Sequence, residues 1–147
     1  MKLIRCLFCF LILTSCTSSY HNNQEQGENP FGGGFSDFKV DDGLFSIISK
    51  TNFAPWTDFP AAHATFTKRA MELCKSPNFK SMKLRETQYE HGYTPAAIKN
   101  IISQVDGYVN CNPMILLDYK ANEKIKEYES KVKASSSFIL NNTKPQY

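Results

Sequence analysis

Two cysteines, Cys74 and Cys111, most limit the folds open to this chain, because they are the only ones outside its first sixteen residues. The other three, Cys6, Cys9 and Cys16, lie in a leading segment that resembles an export signal. In a small exported domain, an even number of thiols is most simply explained by a disulfide. Closing a loop of this length stabilises the folded state by about 4 kcal/mol in the chain-entropy model. We therefore expect a bond between Cys74 and Cys111.

The leading segment has the three parts of a secretory signal. Lys2 and Arg5 precede an apolar run over residues 6–13, and the run ends in small residues. It is shorter than the roughly 20 apolar residues that cross a bilayer, so a permanent transmembrane helix is not expected. The closing tetrapeptide LTSC, residues 13–16, resembles the bacterial lipobox, in which the cysteine is acylated and becomes the new N-terminus.

This resemblance implies that residues 1–15 are removed and that Cys16 anchors the mature chain by its acyl chains. Each buried methylene contributes about 0.8 kcal/mol, so two or more chains give stable membrane attachment. The next residue is Thr17, not the aspartate that favours inner-membrane retention in the lipoprotein pattern. The resemblance thus implies a protein anchored to the outer membrane and facing the periplasm. The alternative is an ordinary signal peptide without lipid.

The formal net charge of +3 comes mostly from the signal. Without Lys2 and Arg5 the 17 basic residues fall to 15, which leaves +1 against 14 acidic residues. Nucleic-acid binding needs a concentrated basic face that displaces counterions, and an almost neutral chain does not favour one. We expect no nucleic-acid partner.

The mature chain divides by composition into three parts. Residues 16–42 are rich in Asn, Gln, Ser and Gly, which predicts a lipidated cysteine followed by a disordered linker. The glycine run at residues 31–35 lacks the lysine of a phosphate-binding loop, and we interpret it as a spacer. Residues 43–133 carry regular apolar patterns and predict one small domain, and residues 134–147 predict a loose tail.

The first half of the domain predicts a strand and a helix. Residues 44–51 place Ile47 on one face and Ile48 on the other, which indicates a central strand covered on both sides. The segment TDFP at residues 57–60 has the capping residue and the early proline of a helix N-terminus. Apolar residues then recur at helical spacing and predict a helix over residues 58–76. They are Ala62, Phe66, Ala70 and Leu73.

The second half predicts two more strands and a second helix. Residues 81–89 and 105–111 alternate apolar and other residues, as half-buried strands do. Residues 94–102 fit a helix or a strand equally, and we leave that choice open. A helix is predicted from residues 112 and 113 to about Lys133. The predicted fold is α/β (α+β), a three- or four-stranded sheet with one main helix packed on it and a C-terminal helix.

No pattern predicts a metal site, a cofactor or a catalytic group. His63 and Cys74 stand on one helix about 16 Å apart, too far to share an ion. Cys74 with His63 or His91 as base is the sharpest enzymatic hypothesis. It is disfavoured because Cys74 ends a helix, where the dipole opposes a thiolate.

Three aromatic residues in expected loops, Trp56, Tyr89 and Tyr93, are candidates for an interaction patch. Loop Trp and Tyr commonly anchor protein interfaces. Trp56 has an alternative role, because a large apolar residue just before a helix cap can pack back on the helix as a staple.

Three blocks resemble a group of small bacterial envelope lipoproteins, namely FxI with Asn52 in residues 45–52, FxKRAxELC in residues 66–74 and GxVxC in residues 107–111. The layout is also similar to the outer-membrane lipoprotein sensor of the Rcs envelope-stress pathway. That sensor has two disulfides and a proline-rich, basic linker, so its signalling role is not carried over. The first resemblance implies a lipoprotein with a small domain and implies no catalytic residues.

The resulting expectation is a non-enzymatic outer-membrane lipoprotein that binds another envelope protein as a structural or sensory module. Two alternatives remain open. One is a thiol-dependent redox protein or enzyme that uses Cys74 and Cys111, and the other is a carrier of a small apolar ligand.

Overall fold

The computed structural model describes residues 20–90 and 100–142, with side chains described as far as residue 136. Four strands form one antiparallel sheet with a long helix on each face. The expected α+β fold with a main helix and a C-terminal helix is confirmed. In chain order the elements are α1 (Asn23–Gln26), β1 (Gly34–Asp41), β2 (Leu44–Lys50), α2 (Phe59–Cys74), β3 (Lys80–Glu90), β4 (Ile101–Asn110) and α3 (Asp118–Asn142). The strands lie in the sheet in the order β1-β2-β4-β3.

Strands β2 and β4 lie in the middle of the sheet. This position was predicted for β2, whose apolar residues lie on both faces, whereas β4 was predicted as a half-buried strand. Ile47 packs with α2 on the first face of the sheet, and Leu44 packs with α3 on the second. The sequence left residues 94–102 open between helix and strand. Their last two residues, Ile101 and Ile102, are the first residues of β4. Residues 91–99, with Tyr93, lie outside the described residues.

Helix α2 covers the first face of the sheet through the predicted stripe. Ala62, Phe66 and Ala70 are all buried in one core with the inward residues of β2 and β4. The small Ser49 allows close approach, and its Oγ lies 3.0 Å from the carbonyl oxygens of Ala62 and Val105. A buried hydroxyl that reaches a carbonyl is satisfied, so this polar position does not weaken the core.

The predicted linker over residues 16–42 is wrong for residues 34–41, which form the edge strand β1. Phe35 is buried beneath the Arg69 guanidinium, and Asp37 accepts a hydrogen bond from Arg69 Nε at 2.7 Å. Composition misled the prediction, because one buried aromatic ring and one ion pair to α2 hold a segment that is polar on average.

The glycine run is likewise more than a spacer. Gly34 has φ of +113°, and a Cβ there would lie 2.6 Å from the His21 carbonyl oxygen. That close approach allows the Phe35 amide to donate to the same oxygen at 2.7 Å. A side chain at Gly34 would therefore push the N-terminal segment away from β1.

The C-terminal helix α3 begins later and ends later than predicted. It starts at Asp118 because residues 112–117 form a turn, in which Asn110 Nδ2 donates to the Leu116 carbonyl oxygen at 2.7 Å. It continues to Asn142, so the predicted loose tail is wrong for residues 134–142. An ion pair between Glu127 and Lys131 supports the exposed turns. Within residues 20–90 and 100–142, no helix is long and apolar enough to cross a membrane.

The N-terminal segment is fastened to α2 by Tyr20. Its hydroxyl donates to Glu72, its ring lies 4.6 Å from that of Phe35, and Lys68 Nζ lies 3.7 Å above it. The hydrogen bond from Tyr20 is the main reason that the pKa of Glu72 is lowered.

We expect Tyr20→Phe to remove this hydrogen bond while keeping the ring contacts. The loss of a single exposed bond to a charged group predicts a decrease in unfolding free energy of about 1 kcal/mol. The pKa of Glu72 should rise toward its ordinary value, so the variant should lose less stability than the natural protein when the pH falls through the titration range of this carboxyl. Carboxyl NMR titration measures the first effect and urea unfolding the second. An unchanged Glu72 titration would show that the hydroxyl contributes nothing.

Candidate functional site: a groove under the C-terminal helix

An apolar groove of about 480 Å³ lies between the second face of the sheet and α3. Phe38, Ile48 and Tyr108 form its sheet side, and Tyr128 and Val132 form its helix side. We call this cavity the α3 groove. Phe38 and Val132 remain 42% and 47% exposed, so apolar surface on both sides is open to solvent.

The groove exists because α3 is packed on the sheet only through its first turns. Ala121 and Ile125 are fully buried in a core with Leu44 and Met82. Beyond Tyr128 every described residue of the helix, 129–136, is exposed. The small Ser46 on β2 leaves further space in the floor. Among the described residues, no side chain fills the gap between the sheet and the outer part of α3.

One end of the groove is ordered by hydrogen bonds to Glu129. Tyr108 Oη donates to Glu129 Oε1 at 3.2 Å, and Lys83 Nζ lies 3.2 Å from both carboxylate oxygens. Burial, followed by the charge of Glu129, raises the pKa of Tyr108, so its hydroxyl stays protonated as a donor. The ring of Tyr128 meets that of Tyr108 edge to face, with centroids 6.4 Å apart. Burial also raises the pKa of Tyr128.

The rim of the groove carries an excess of positive charge. Arg85 donates to Asp106 through Nε at 3.2 Å and through Nη2 at 2.9 Å, and this contact raises the pKa of Arg85. Lys133 also lines the groove, and within the described residues no ion pair engages it. With Lys83, three cations thus stand against the carboxylates of Asp106 and Glu129. A carboxylate brought to the rim would be favoured.

The predicted disulfide is confirmed. Cys74 at the end of α2 and Cys111 just after β4 are bonded, with their Cα atoms 5.0 Å apart. The bond ties α2 to the end of a central strand. In this state neither sulfur is a free thiolate. Cys16, the predicted lipidation site, lies outside the described residues.

Two of the three aromatic residues predicted to form an interaction patch, Trp56 and Tyr89, lie in the described part of the chain. Trp56 is 63% exposed in the loop before α2, which does not fit a staple packed on the helix. Tyr89 lies on β3 with Lys50 Nζ 5.8 Å from its ring centre, beside a polar cavity of about 360 Å³. The rings that meet at this end of the sheet are instead Phe31 and Phe53, 5.9 Å apart.

His63, expected on the helix surface, contacts a carboxylate there. His63 Nε2 lies 2.7 Å from Glu86 Oε1 on β3, and both side chains are substantially exposed. Among residues 20–90 and 100–142, no group of three or more His, Cys, Asp or Glu side chains is arranged to hold a metal ion.

Sequence reasoning missed the groove, although one signal for it was present. The narrow stripe of α3 contains Tyr128 and Val132 as well as Ala121 and Ile125. Within the part of the chain that the structure describes, Ala121 and Ile125 are covered, and Tyr128 and Val132 form the helix side of the groove. Comparisons of the chain with protein-family models, with curated proteins and with solved structures found no match.

Proposed function

We propose that this chain is a bacterial lipoprotein, held at the periplasmic face of the outer membrane by acylated Cys16. It acts without catalysis, as a structural or sensory module that binds another envelope protein. The lipobox and its signal support the anchor and the location. The single observation that supports a binding role is the open α3 groove.

The groove has the composition of a recognition site. Its lining is mainly aromatic and aliphatic, with a few polar groups at the margin, as in sites that bind apolar segments. Two of its apolar residues, Phe38 and Val132, are exposed on facing sides, and facing apolar surface of this kind marks interaction sites. Tyr128 adds a hydroxyl for which the described residues supply no hydrogen-bond partner.

The rim selects among apolar segments by charge. Lys133 has no carboxylate partner among the described residues, and Arg85 is 71% exposed on its outer side. An acidic residue of the partner would meet both cations as its apolar side chains enter the groove. The expected partner is therefore an envelope protein that presents an amphipathic segment with a carboxylate at its margin.

Photocrosslinking in the native envelope tests this function. A photoreactive residue at Val132 should give one dominant adduct, and the same residue at the exposed Ala64 on the opposite face of the sheet should not. The adduct should disappear when Ile48→Glu places a charge in the groove. Equal adducts from both positions, or an adduct that survives Ile48→Glu, would contradict binding in the groove.

We expect Lys133→Glu to weaken partner binding by about tenfold, because a lost rim ion pair and a new repulsion together cost on the order of 1 kcal/mol. Lys126→Glu is the matched control, since this exposed lysine lies on the same side of α3 two turns earlier and does not line the groove. Titration of the purified pair at two salt concentrations measures the effect. Equal weakening by both variants would show that only net charge matters.

A small apolar ligand is the second candidate occupant, because about 480 Å³ lies within the size range of ligand sites. Native mass spectrometry of protein extracted from the envelope distinguishes the two. A discrete added mass that Val132→Trp removes favours the ligand. An empty groove together with a protein adduct at Val132 favours the partner.

A further inference from the structure

A polar cavity of about 360 Å³ lies at the end of the sheet where β2 finishes and β4 begins. We call it the sheet-end cavity. Each of the four strands contributes one residue to its lining, namely Ser36, Lys50, Tyr89 and Ile102. Ser36 and Lys50 each lie two residues from a residue of the α3 groove, so both cavities are on the same face of the sheet. The two cavities adjoin, but no described residue lines both.

The opposite wall is formed by α1 and the loop after it, residues 27–33, and the fold holds this loop in place. Asn29 Oδ1 accepts from the Phe31 amide at 2.9 Å, and the Asn29 carbonyl oxygen accepts from the Gly32 amide at 2.8 Å. Asn29 Nδ2 donates to Asn52 Oδ1 at 3.2 Å. The packing is close, since a Cβ at Gly33 would lie 2.3 Å from Asn52 Oδ1. A wall built in this way does not have to be ordered by a ligand, which favours binding.

The short helix α1 brings an unsatisfied polar atom to the same wall. The Asp37 amide donates to Gln24 Oε1 at 3.0 Å and so ties α1 to β1. Asn23 lines the cavity, and its Oδ1 atom is buried without a hydrogen-bond donor among the described residues. Buried acceptors are normally paired, so a ligand that donates a hydrogen bond at this wall is favoured.

Two opposite charges line the sheet-end cavity without pairing. Lys50 and Glu28 both contribute to the lining, and within the described residues no ion pair engages either of them. Lys50 Nζ instead lies 5.8 Å from the centre of the Tyr89 ring. Opposite charges in one small cavity attract each other, yet here the fold keeps them apart. A ligand that carries both charges would satisfy the two at once.

The chemistry of the lining selects an amino acid among such ligands. Its carboxylate would accept from Lys50 and from the Ser36 hydroxyl, and its ammonium would donate to Glu28. Its side chain would lie against Ile102, the apolar residue of the lining. A neutral sugar would leave both charges without a partner, and the Tyr89 ring on which it would stack already contacts Lys50.

We propose that the sheet-end cavity binds a free α-amino acid with an apolar side chain, its carboxylate at Lys50 and its ammonium at Glu28. The volume of about 360 Å³ lies within the size range of ligand sites. This inference goes beyond the proposed function, because it needs neither the lipid anchor nor a protein partner. It adds a site for a small molecule beside the groove proposed to bind protein.

Titration with three matched probes, followed by amide NMR of the full-length protein in detergent, tests the ligand class. Phenylalanine carries both charges, phenylpropionate lacks the ammonium, and phenylethylamine lacks the carboxylate. Phenylalanine should shift the amide signals of Gly33 and Lys50, and each analogue should bind about tenfold more weakly. Equal binding of either analogue overturns the proposal. So does the absence of shifts with both phenylalanine and leucine.

Two substitutions test the assignment of the charges. Lys50→Met keeps the side-chain stem and Glu28→Gln keeps the shape, and each should weaken phenylalanine binding by about tenfold. In Glu28→Gln, phenylalanine should also lose its advantage over phenylpropionate, which a merely structural role would not cause. The controls are Lys126→Met and Glu25→Gln, exposed positions that do not line the cavity. Equal weakening by the controls would show that only net charge matters and would overturn the assignment.

A variant of the α3 groove separates this inference from the proposed function. Val132→Trp fills the groove, which the sheet-end cavity does not share, so phenylalanine binding should be unchanged. Loss of phenylalanine binding in this variant would place the ligand in the groove and overturn the inference. A missing protein adduct at Val132 with normal phenylalanine binding contradicts the proposed function alone.

Discussion

Replacing both Cys74 and Cys111 by serine is expected to lower the unfolding free energy by about 4 kcal/mol. The bond closes a loop with a sequence separation of 37, and the chain-entropy model gives this value for such a loop. In a domain of this size the melting temperature should fall by roughly 12–20 °C. The structural reason is local, because the bond joins the end of α2 to the end of the central strand β4. Thermal unfolding followed by circular dichroism measures the loss.

The same variant separates a structural bond from a thiol-dependent function. If the bond is structural, partner binding at low temperature survives in the double variant, and reductant destabilises the natural protein to the same extent. If the pair is a redox centre, activity disappears although the fold is nearly as stable as before. Reductant should have no further effect on the double variant, which is the control for unspecific damage.

The sequence predicted the central part of the fold because local signals and burial agree there. The TDFP cap and the stripe of Ala62, Phe66 and Ala70 predict α2, and the cap, stripe and core appear in the structure. Both faces of β2 are covered, as its apolar residues on both faces indicated. The number of cysteines predicted the pair, because an export signal that removes Cys6 and Cys9 and a lipidated Cys16 would leave two thiols.

Prediction failed where a few tertiary contacts outweigh composition. Residues 34–41 are polar on average, yet Phe35 and the Asp37–Arg69 pair hold them as an edge strand. Between β4 and α3, the pair Asn112 and Pro113 suited a helix start. Hydrogen bonds from the buried Asn110 form a turn instead. Sequence patterns do not identify such contacts, because the two residues lie far apart in the sequence or because a single side chain makes the contact.

The α3 groove could not be predicted for a different reason. A helical stripe shows which residues are apolar, but it does not show how much of the stripe the same chain covers. Ala121 and Ile125 are covered, whereas Tyr128 and Val132 face the gap. The distinction depends on how far along its length α3 packs on the sheet, and that is a property of the packed structure.

This division of α3 predicts opposite outcomes for two alanine substitutions seven residues apart. Ile125→Ala removes a fully buried side chain from the core with Leu44 and Met82. Large-to-small changes of this kind cost about 2–5 kcal/mol. Val132→Ala shortens a side chain that is 47% exposed, so the unfolding free energy should change by no more than about 0.5 kcal/mol. Urea unfolding of both variants measures the difference.

At a temperature at which both variants are folded, Val132→Ala should weaken partner binding more than Ile125→Ala does. Val132→Ala removes one side of the groove while α3 stays docked, so partner affinity should fall without a loss of stability. Ile125→Ala loosens the whole helix, and its binding defect should follow its stability as conditions vary. If Val132→Ala binds normally and only Ile125→Ala is defective, α3 serves the fold alone and the partner binds elsewhere. The pair thus separates the part of the helix that stabilises the domain from the part proposed to bind.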